Sequence, residues 1–313
     1  MRTTSLTSAF ALITVAALGL TACGSGDGTG AAAPAAAKNA KIPTTDVVSA
    51  VAKDPAAAKL LPADVRESGS LKIAVSVGGS PPNSTYLPDG KTIVGQDIDF
   101  ANAVAKVLGI TLDQQVASFE AILPALDSGK YDLGTGNFGV TDERRRTIDF
   151  VTYINDGQGF AVRKDSDLKK VTDLKQLCGL NVATGAGTTF EATLEENKGA
   201  CKAAGKKAYD VKTYSEPSAI WSSLQQGRSD VVMSTINGLR YAVAQQEGLK
   251  FLNEFHRLDV GFAFKKGTPL APAFRAAVNE LIKNGTYAKI LKKWGTAPSA
   301  IDTSRISPPE IKD

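Results

Sequence analysis

From Leu71 onward, short runs of alternating apolar and polar residues are interleaved with stretches in which apolar residues recur every three to four positions. Leu71 to Val77 alternates as a strand. Ile98, Ala101, Val104, Ala105 and Leu108 then fall on one helical face, with Asp97 or Asp99 placed to cap that helix and Gly109 to end it. The unit recurs with a strand at Leu112 to Val116, a helical stripe of Phe119, Ile122, Leu123 and Leu126 closed by Gly129, and a third strand at Tyr131 to Thr135. A second set begins near Leu180. It runs as strand Leu180 to Ala183, a turn through Gly187, a helix from Thr188, strand Tyr209 to Tyr214, a helix through Ile220 and Leu224, strand Asp230 to Met233, and a helix near Leu239 to Gln246. Strand Phe262 to Phe264 follows, and a long amphipathic helix carries Leu270, Phe274, Val278 and Leu281. Such alternation predicts an α/β fold with a largely parallel sheet. Extended segments between the two sets, Phe160 to Arg163 and Val260 to Phe264, predict two lobes joined by a paired, two-strand hinge. The chain then crosses the hinge twice, so its C-terminal helices, Leu270 to Trp294, should pack on the first lobe.

Ahead of Leu71 the pattern changes twice. Ile42 to Ser68 reads as one or two short helical stretches (Val47, Val48, Val51; Leu60, Leu61) broken by Pro55 and Pro62. Gly24 to Ala40 is almost entirely Gly, Ala, Ser, Thr and Pro, too poor in large apolar residues to fold and flexible enough for a tether. The segment before it has Arg2 near its start and an apolar run from Phe10 to Leu20, shorter than the ~20 residues that span a bilayer. That is the layout of a secretory signal peptide. Leu20-Thr21-Ala22-Cys23 resembles the lipobox of bacterial lipoproteins, which implies that Cys23 becomes the first mature residue and carries lipid. The expected organisation is a signal peptide over 1–22, a tether over 23–41, a helical extension over 42–70, a first lobe from 71–162 and 261–313, and a second lobe from 163–260.

Composition narrows the functions open to such a protein. Charged residues make up 22% and hydrophobic ones 43% of the 313 residues, as in ordinary soluble domains. The net charge is only +4, with Lys and Arg dispersed among Asp and Glu, so there is no nucleic-acid footprint. One histidine, His256, and three cysteines leave little for a metal site, and no cofactor is expected. With Cys23 committed to the anchor, Cys178 and Cys201 are left over in an exported chain, where a disulfide is the expected state.

Several segments then fall into register with one family. Gly95 to Phe100 (GQDIDF), Phe119 to Pro124 (FEAILP), Gly129 to Leu133 (GKYDL), Thr141 to Arg144 (TDER) and Ile148 to Phe150 resemble the solute-binding family of polar amino-acid ABC importers, the extracellular solute-binding proteins of family 3. Gly187 to Thr189, Gly227-Arg228 and Gly285 to Gly295 continue the match in order, so the resemblance covers roughly Leu71 to Gly295. It implies a periplasmic-binding-protein-like fold whose two lobes close on a small ligand. It also implies an ABC permease with its ATPase as partner, and a location outside the cytoplasm, lipid-anchored to the outer face of the cell membrane.

The resemblance places the ligand's carboxylate on Arg144. Guanidinium chemistry agrees, because its fixed fork matches a carboxylate bidentately and a helix start at Thr141 would add backbone N–H groups. By charge alone, Arg144-Arg145-Arg146 is a solvated helix face, and Arg145 and Arg146 are left to that reading. Gly187, Thr188 and Thr189 open a helix on the other lobe, where a hydroxyl at the N-cap can share its bonds with an anion. Phe119 stands where the family sets an aromatic against the ligand, or else belongs to its helix stripe. Gly136, Asn137 and Gly139 fill a ledge on which the family often has serines. Trp221, off the better-buried stripe of Ile220 and Leu224, is expected to cover lobe surface.

Two departures concern the ligand's ammonium group. The aspartate that usually holds it is replaced by Thr235, and the early acid and aromatic after the first strand are replaced by Ser76 and Gly79. Either another acid reaches the ammonium or the ligand is not a simple α-amino acid. The expected function is non-enzymatic capture of a small carboxylate-bearing solute, an amino acid first. The alternatives are a dehydratase on the same scaffold, for which Glu191 is the nearest base to the helix cap, or a ligand-sensing surface lipoprotein.

Overall fold

The computed structural model describes residues 42–312. The expected signal peptide, the tether and Cys23 lie outside the described residues. Eight strands form one sheet in the order β4-β1-β5-β10-β6-β9-β7-β8. Strands β1 (Ser70–Val75), β4 (Thr111–Val116) and β5 (Leu133–Gly139) run parallel at one end, and β7 (Asn181–Gly185), β8 (Asp210–Tyr214) and β9 (Val231–Thr235) run parallel at the other. Between them lie two long antiparallel strands, β6 (Ile148–Arg163) and β10 (Leu249–Lys265). β10 pairs with β5 around Val260–Ala263, and β6 pairs with β9 over Gln158–Val162, so each long strand belongs to both halves. A small hairpin of β2 (Thr85–Tyr86) and β3 (Ile93–Val94) stands apart.

Among the described residues ten helices complete the fold: α1 (Pro55–Lys59), α2 (Ala63–Ser68), α3 (Gln96–Leu108), α4 (Phe119–Asp127), α5 (Thr189–Asn197), α6 (Gly199–Ala203), α7 (Pro217–Gln225), α8 (Ile236–Gln245), α9 (Ala271–Lys283) and α10 (Thr286–Trp294). None of the described helices is long and apolar enough to cross a membrane. The first lobe covers both faces of its sheet. Ile73 and Val75 join Phe100, Tyr153, Phe262, Phe274, Leu281 and Ile290 on one side, while Ala74 meets Ile122, Leu126 and Phe138 on the other. β1 alternates through Leu71, the exposed Lys72 and Ile73, and then stays apolar at Ala74 because the second face of the sheet is covered as well. α9 and α10 are thus first-lobe core, as their stripe predicts. The second lobe has its own two clusters, one around Phe160, Leu194 and Met233 and one around Ile220, Leu224 and Leu239. Cys178 and Cys201 are bonded, which bears out the expected disulfide and fastens the fully buried Cys201 into the second lobe.

Four local expectations are corrected. The two-strand hinge is present, but Phe160–Arg163 and Val260–Phe264 are not partners. Antiparallel register sets Phe160 against Asn253 and Val260 against Ile154, so the two predicted segments lie in opposite lobes. Pro55 does not break a helix but begins one at its first position, with the Asp54 carboxylate accepting from Ala56 N at 2.8 Å, while Val47–Val51 is not helical. Neither Asp97 nor Asp99 caps α3. Its N-cap is Gly95, where a Cβ would fall 2.7 Å from Ser84 Cα, and both aspartates sit within the first turn. Finally, Thr141 starts no α-helix. Arg144–Arg146 forms a single 3-10 turn, with Thr141 Oγ1 accepting from Arg144 N at 3.2 Å.

Candidate functional site

A cavity of about 130 Å3 lies between the lobes, walled by the C-terminal ends of β1 and β5 on one side and the N-terminal ends of α5, α7 and α8 on the other. Strand ends and helix starts meet here because each parallel strand passes its chain into a helix on the same edge of the sheet.

Arg144 crosses the gap. Its Nη1 donates to Gly139 O on the first lobe at 3.1 Å and its Nη2 to Gly187 O on the second at 2.9 Å. The guanidinium lies 5.9 Å from the centre of the Phe119 ring, which stacks on Phe138 at 4.7 Å. No carboxylate among the described residues closes an ion pair with it. Burial lowers its pKa to about 10, against the opposing pull of Glu143, so it stays a cation at neutral pH. Gly187 has φ +70°, and a Cβ there would come within 2.8 Å of Glu120 Cβ on the facing lobe. A side chain at Gly187 would hold the lobes apart.

Two helix starts face Arg144. Thr188 is the N-cap of α5, its Oγ1 accepting from Glu191 N at 3.2 Å and donating to Gly185 O at 2.7 Å. The N–H groups of Thr189 and Phe190, in the first turn, have no partner within the helix, and both residues line the cavity. Thr235 caps α8 in the same way, accepting from Gly238 N at 3.1 Å and from Asn83 Nδ2 across the cleft at 3.4 Å. Its hydroxyl therefore already serves as an acceptor twice and supplies no charge.

Nine of the ten expected ligand residues are brought together: Ser76, Phe119, Gly136, Asn137, Gly139, Arg144, Thr188, Thr189 and Thr235 all line the cavity. Thr141 does not. It borders the neighbouring groove on the outer side of Arg144 and positions the turn. Arg146 is exposed, but Arg145 is no solvated side chain; it is bonded to Asp142 at 2.7 Å and to Ser307 O at 3.0 Å, tying down the C-terminal segment. Trp221, expected on the lobe surface, lines the cavity beside Tyr214 and Ile220. A stripe drawn only from the buried core hides a residue buried against a cleft.

Asp97 was expected only as a cap. It is 1% exposed and lines the cavity, with Oδ1 accepting from Tyr153 at 2.7 Å and Oδ2 bonded to nothing among the described residues. Burial pushes its carboxyl up to about 6, and Asp156 adds a smaller push. Asp156 is buried as deeply and raised to about 6 for the same reason, but both of its oxygens are engaged, one by Asn137 Nδ2 at 3.1 Å and one by Asn237 N at 3.2 Å.

The chain has relatives among known proteins. The chain is 28% identical to the arginine-binding protein ArgT of Corynebacterium glutamicum over 249 residues, 78% of this chain and 81% of that protein. It is 30% identical to the L-cystine-binding protein TcyJ of Escherichia coli K12 over 236 residues, covering 74% and 84%. Among solved structures, an ancestral arginine-binding protein bound to arginine superposes with a TM-score of 0.65 at 33% identity, covering 72% of this chain and 98% of that one. Residues 71–297 match the bacterial extracellular solute-binding proteins, family 3, and with two lobes closing around an arginine-bearing cleft the chain belongs to that family.

Proposed function

We propose that the protein is the substrate-binding component of an ABC importer. It captures a small carboxylate-bearing solute, an amino acid first among the candidates, by lobe closure and delivers it to a membrane permease. The observation that carries this reading is Arg144, a cation with no ion pair among the described residues, hydrogen-bonded to carbonyls of both lobes and facing the first-turn N–H groups of α5. A carboxylate between them would receive a charge-assisted fork from one side and backbone donors from the other. Lobe closure is a hinge transition biased by contacts that exist only when both walls meet, and no chemical step is required. The arginine- and cystine-binding relatives support an amino acid as ligand. In this reading Cys23 anchors the mature chain to the outer face of the membrane.

A thermal-shift screen of the soluble body tests it. A ligand at 100 times its Kd adds about 2.7 kcal/mol of stability, an easily seen rise in Tm. Amino acids or other carboxylates are expected among the hits. Shifts given only by neutral sugars or metal ions would overturn the assignment.

A further inference from the structure

We propose that Asp97 is the counter-ion of a cationic nitrogen on the ligand, so that the site takes a molecule carrying both a carboxylate and a cationic nitrogen rather than a plain carboxylate. The inference rests on the reading of Arg144 as the carboxylate anchor and adds the opposite end of the ligand.

Buried carboxylates are ordinarily satisfied on both oxygens, because an unpartnered buried acceptor costs more than a hydrogen bond returns. Two other deeply buried acids near the first lobe obey this rule. Asp156 has donors on both oxygens. Asp259 accepts from Asn155 Nδ2 on Oδ1 at 3.3 Å and from Arg305 Nη2 on Oδ2 at 2.6 Å, while the less buried Asp99 takes both Trp294 Nε1 and Lys293 Nζ on Oδ2. Among the described residues Asp97 Oδ2 is the one buried carboxylate oxygen without a donor, and Asp97 lines the cavity. Tyr153 needs only one acceptor, which an asparagine would supply without charge. Two further cavity atoms are buried and unpartnered beside the same wall, Ser84 Oγ and Asn137 Oδ1. A carboxylate with two neutral acceptors suits an ammonium or guanidinium, which have only donors to offer.

The fold holds this group in place. Asp97 stands in the first turn of the thirteen-residue α3, whose positive end favours the ionised form. Gln96 N donates to Pro82 O at 2.7 Å, closing the Ser84 loop over the helix start. The groups facing the carboxyl are Tyr153 and Asp156 from β6; raised to about 6, it is still mostly ionised at neutral pH. The placement also answers the loss of an acid at Thr235, since the charge enters from the first lobe instead of the second.

Calorimetric titration of the wild-type protein against a three-part panel decides the matter. The first part is L-arginine, L-glutamine and L-cystine; the second is the nitrogen-free carboxylates succinate and 2-oxoglutarate; the third is the carboxylate-free cations agmatine and putrescine. Binding is expected only in the first part, and Asp97→Asn should weaken the best of these by fiftyfold or more. Adding 5-guanidinopentanoate, which lacks the α-ammonium of arginine, tells an α-ammonium from a side-chain cation. Nitrogen-free carboxylates binding as tightly as the amino acids would overturn the inference and leave Arg144 untouched. Binding by the third part alone would overturn the Arg144 reading, and no binding at all would overturn both. A folded Asp97→Asn protein that keeps affinity within threefold also overturns it. If that variant does not fold, the panel on the wild type still decides.

Discussion

Arg144 and Asp97 bring opposite charges to one cavity and are held in opposite ways. Arg144 stands on a three-residue 3-10 turn, half-buried, with its guanidinium bonded to a carbonyl of each lobe. Asp97 stands on a long helix packed into the first-lobe core, fully buried, with one oxygen committed to Tyr153. The cation therefore senses whether the lobes are together, whereas the anion presents the same face at every stage of closure. On the proposed reading, a site built this way orients a ligand on the first-lobe wall and secures it when the second lobe arrives.

The largest effect should come from Arg144→Ala. Removing one member of a desolvated charge pair is expected to cost about 2–5 kcal/mol of binding, more than tenfold in Kd. Lysine should not restore it, since a point charge cannot reproduce the fork. Calorimetry with the hit from the thermal screen measures both, and equal small losses for Arg144→Ala and Arg146→Ala would collapse the contrast. Next comes the stability of Asp97→Asn. The folded pKa of about 6 lies above the ordinary carboxylate value of 3.8, so the proton is favoured by the fold. Its stabilising effect is present below about pH 4 and lost as pH rises through about 6. At neutral pH the buried charge costs on the order of 3 kcal/mol, so the asparagine variant should melt higher than wild type, with the gap closing towards pH 4. A variant that melts lower at pH 7 would make Asp97 a structural carboxylate. Thr188→Ala should lose about 1 kcal/mol of stability through the α5 cap, read by urea denaturation. Smallest is Arg145→Ala, expected to leave ligand affinity within twofold while loosening the C-terminal segment it holds at Ser307. A large loss of affinity there would mean that the segment belongs to the site.

The alternating α/β architecture was legible because strands such as β1 and helices such as α3 keep their periods cleanly. β10 was legible only at Phe262–Phe264. Its remaining length carries His256, Arg257 and Asp259 through the crossover, where a strand without a sheet face to bury has no reason to alternate. The proposed carboxylate end of the site rests on the resemblance, whereas the Thr188 cap was legible from local chemistry. Asp97 was not found, because an acid in the first turn of a helix looks the same in sequence whether it faces solvent or a cavity. Only the approach of Ser84 to Gly95 and of Tyr153 to the carboxyl separates the two cases. Arg145 was misjudged for a similar reason, as its partner Ser307 lies 162 residues away.

The packing of α9 and α10 into the first lobe has a consequence for how the chain acquires its structure. Gln96 meets Thr296 across 200 residues and Asp99 meets Trp294 across 195, so the first core cannot close until nearly the whole chain is available. The second lobe draws its clusters from residues 160 to 255 and fastens itself by a disulfide spanning 23 residues. Loop closure over the longer distance is entropically dearer, and non-local contacts form later. Amides of β7 and β9 should thus gain protection before those of β1 in pulse-labelled hydrogen exchange during refolding, with Phe100 and its aromatic neighbours among the last side chains to leave water.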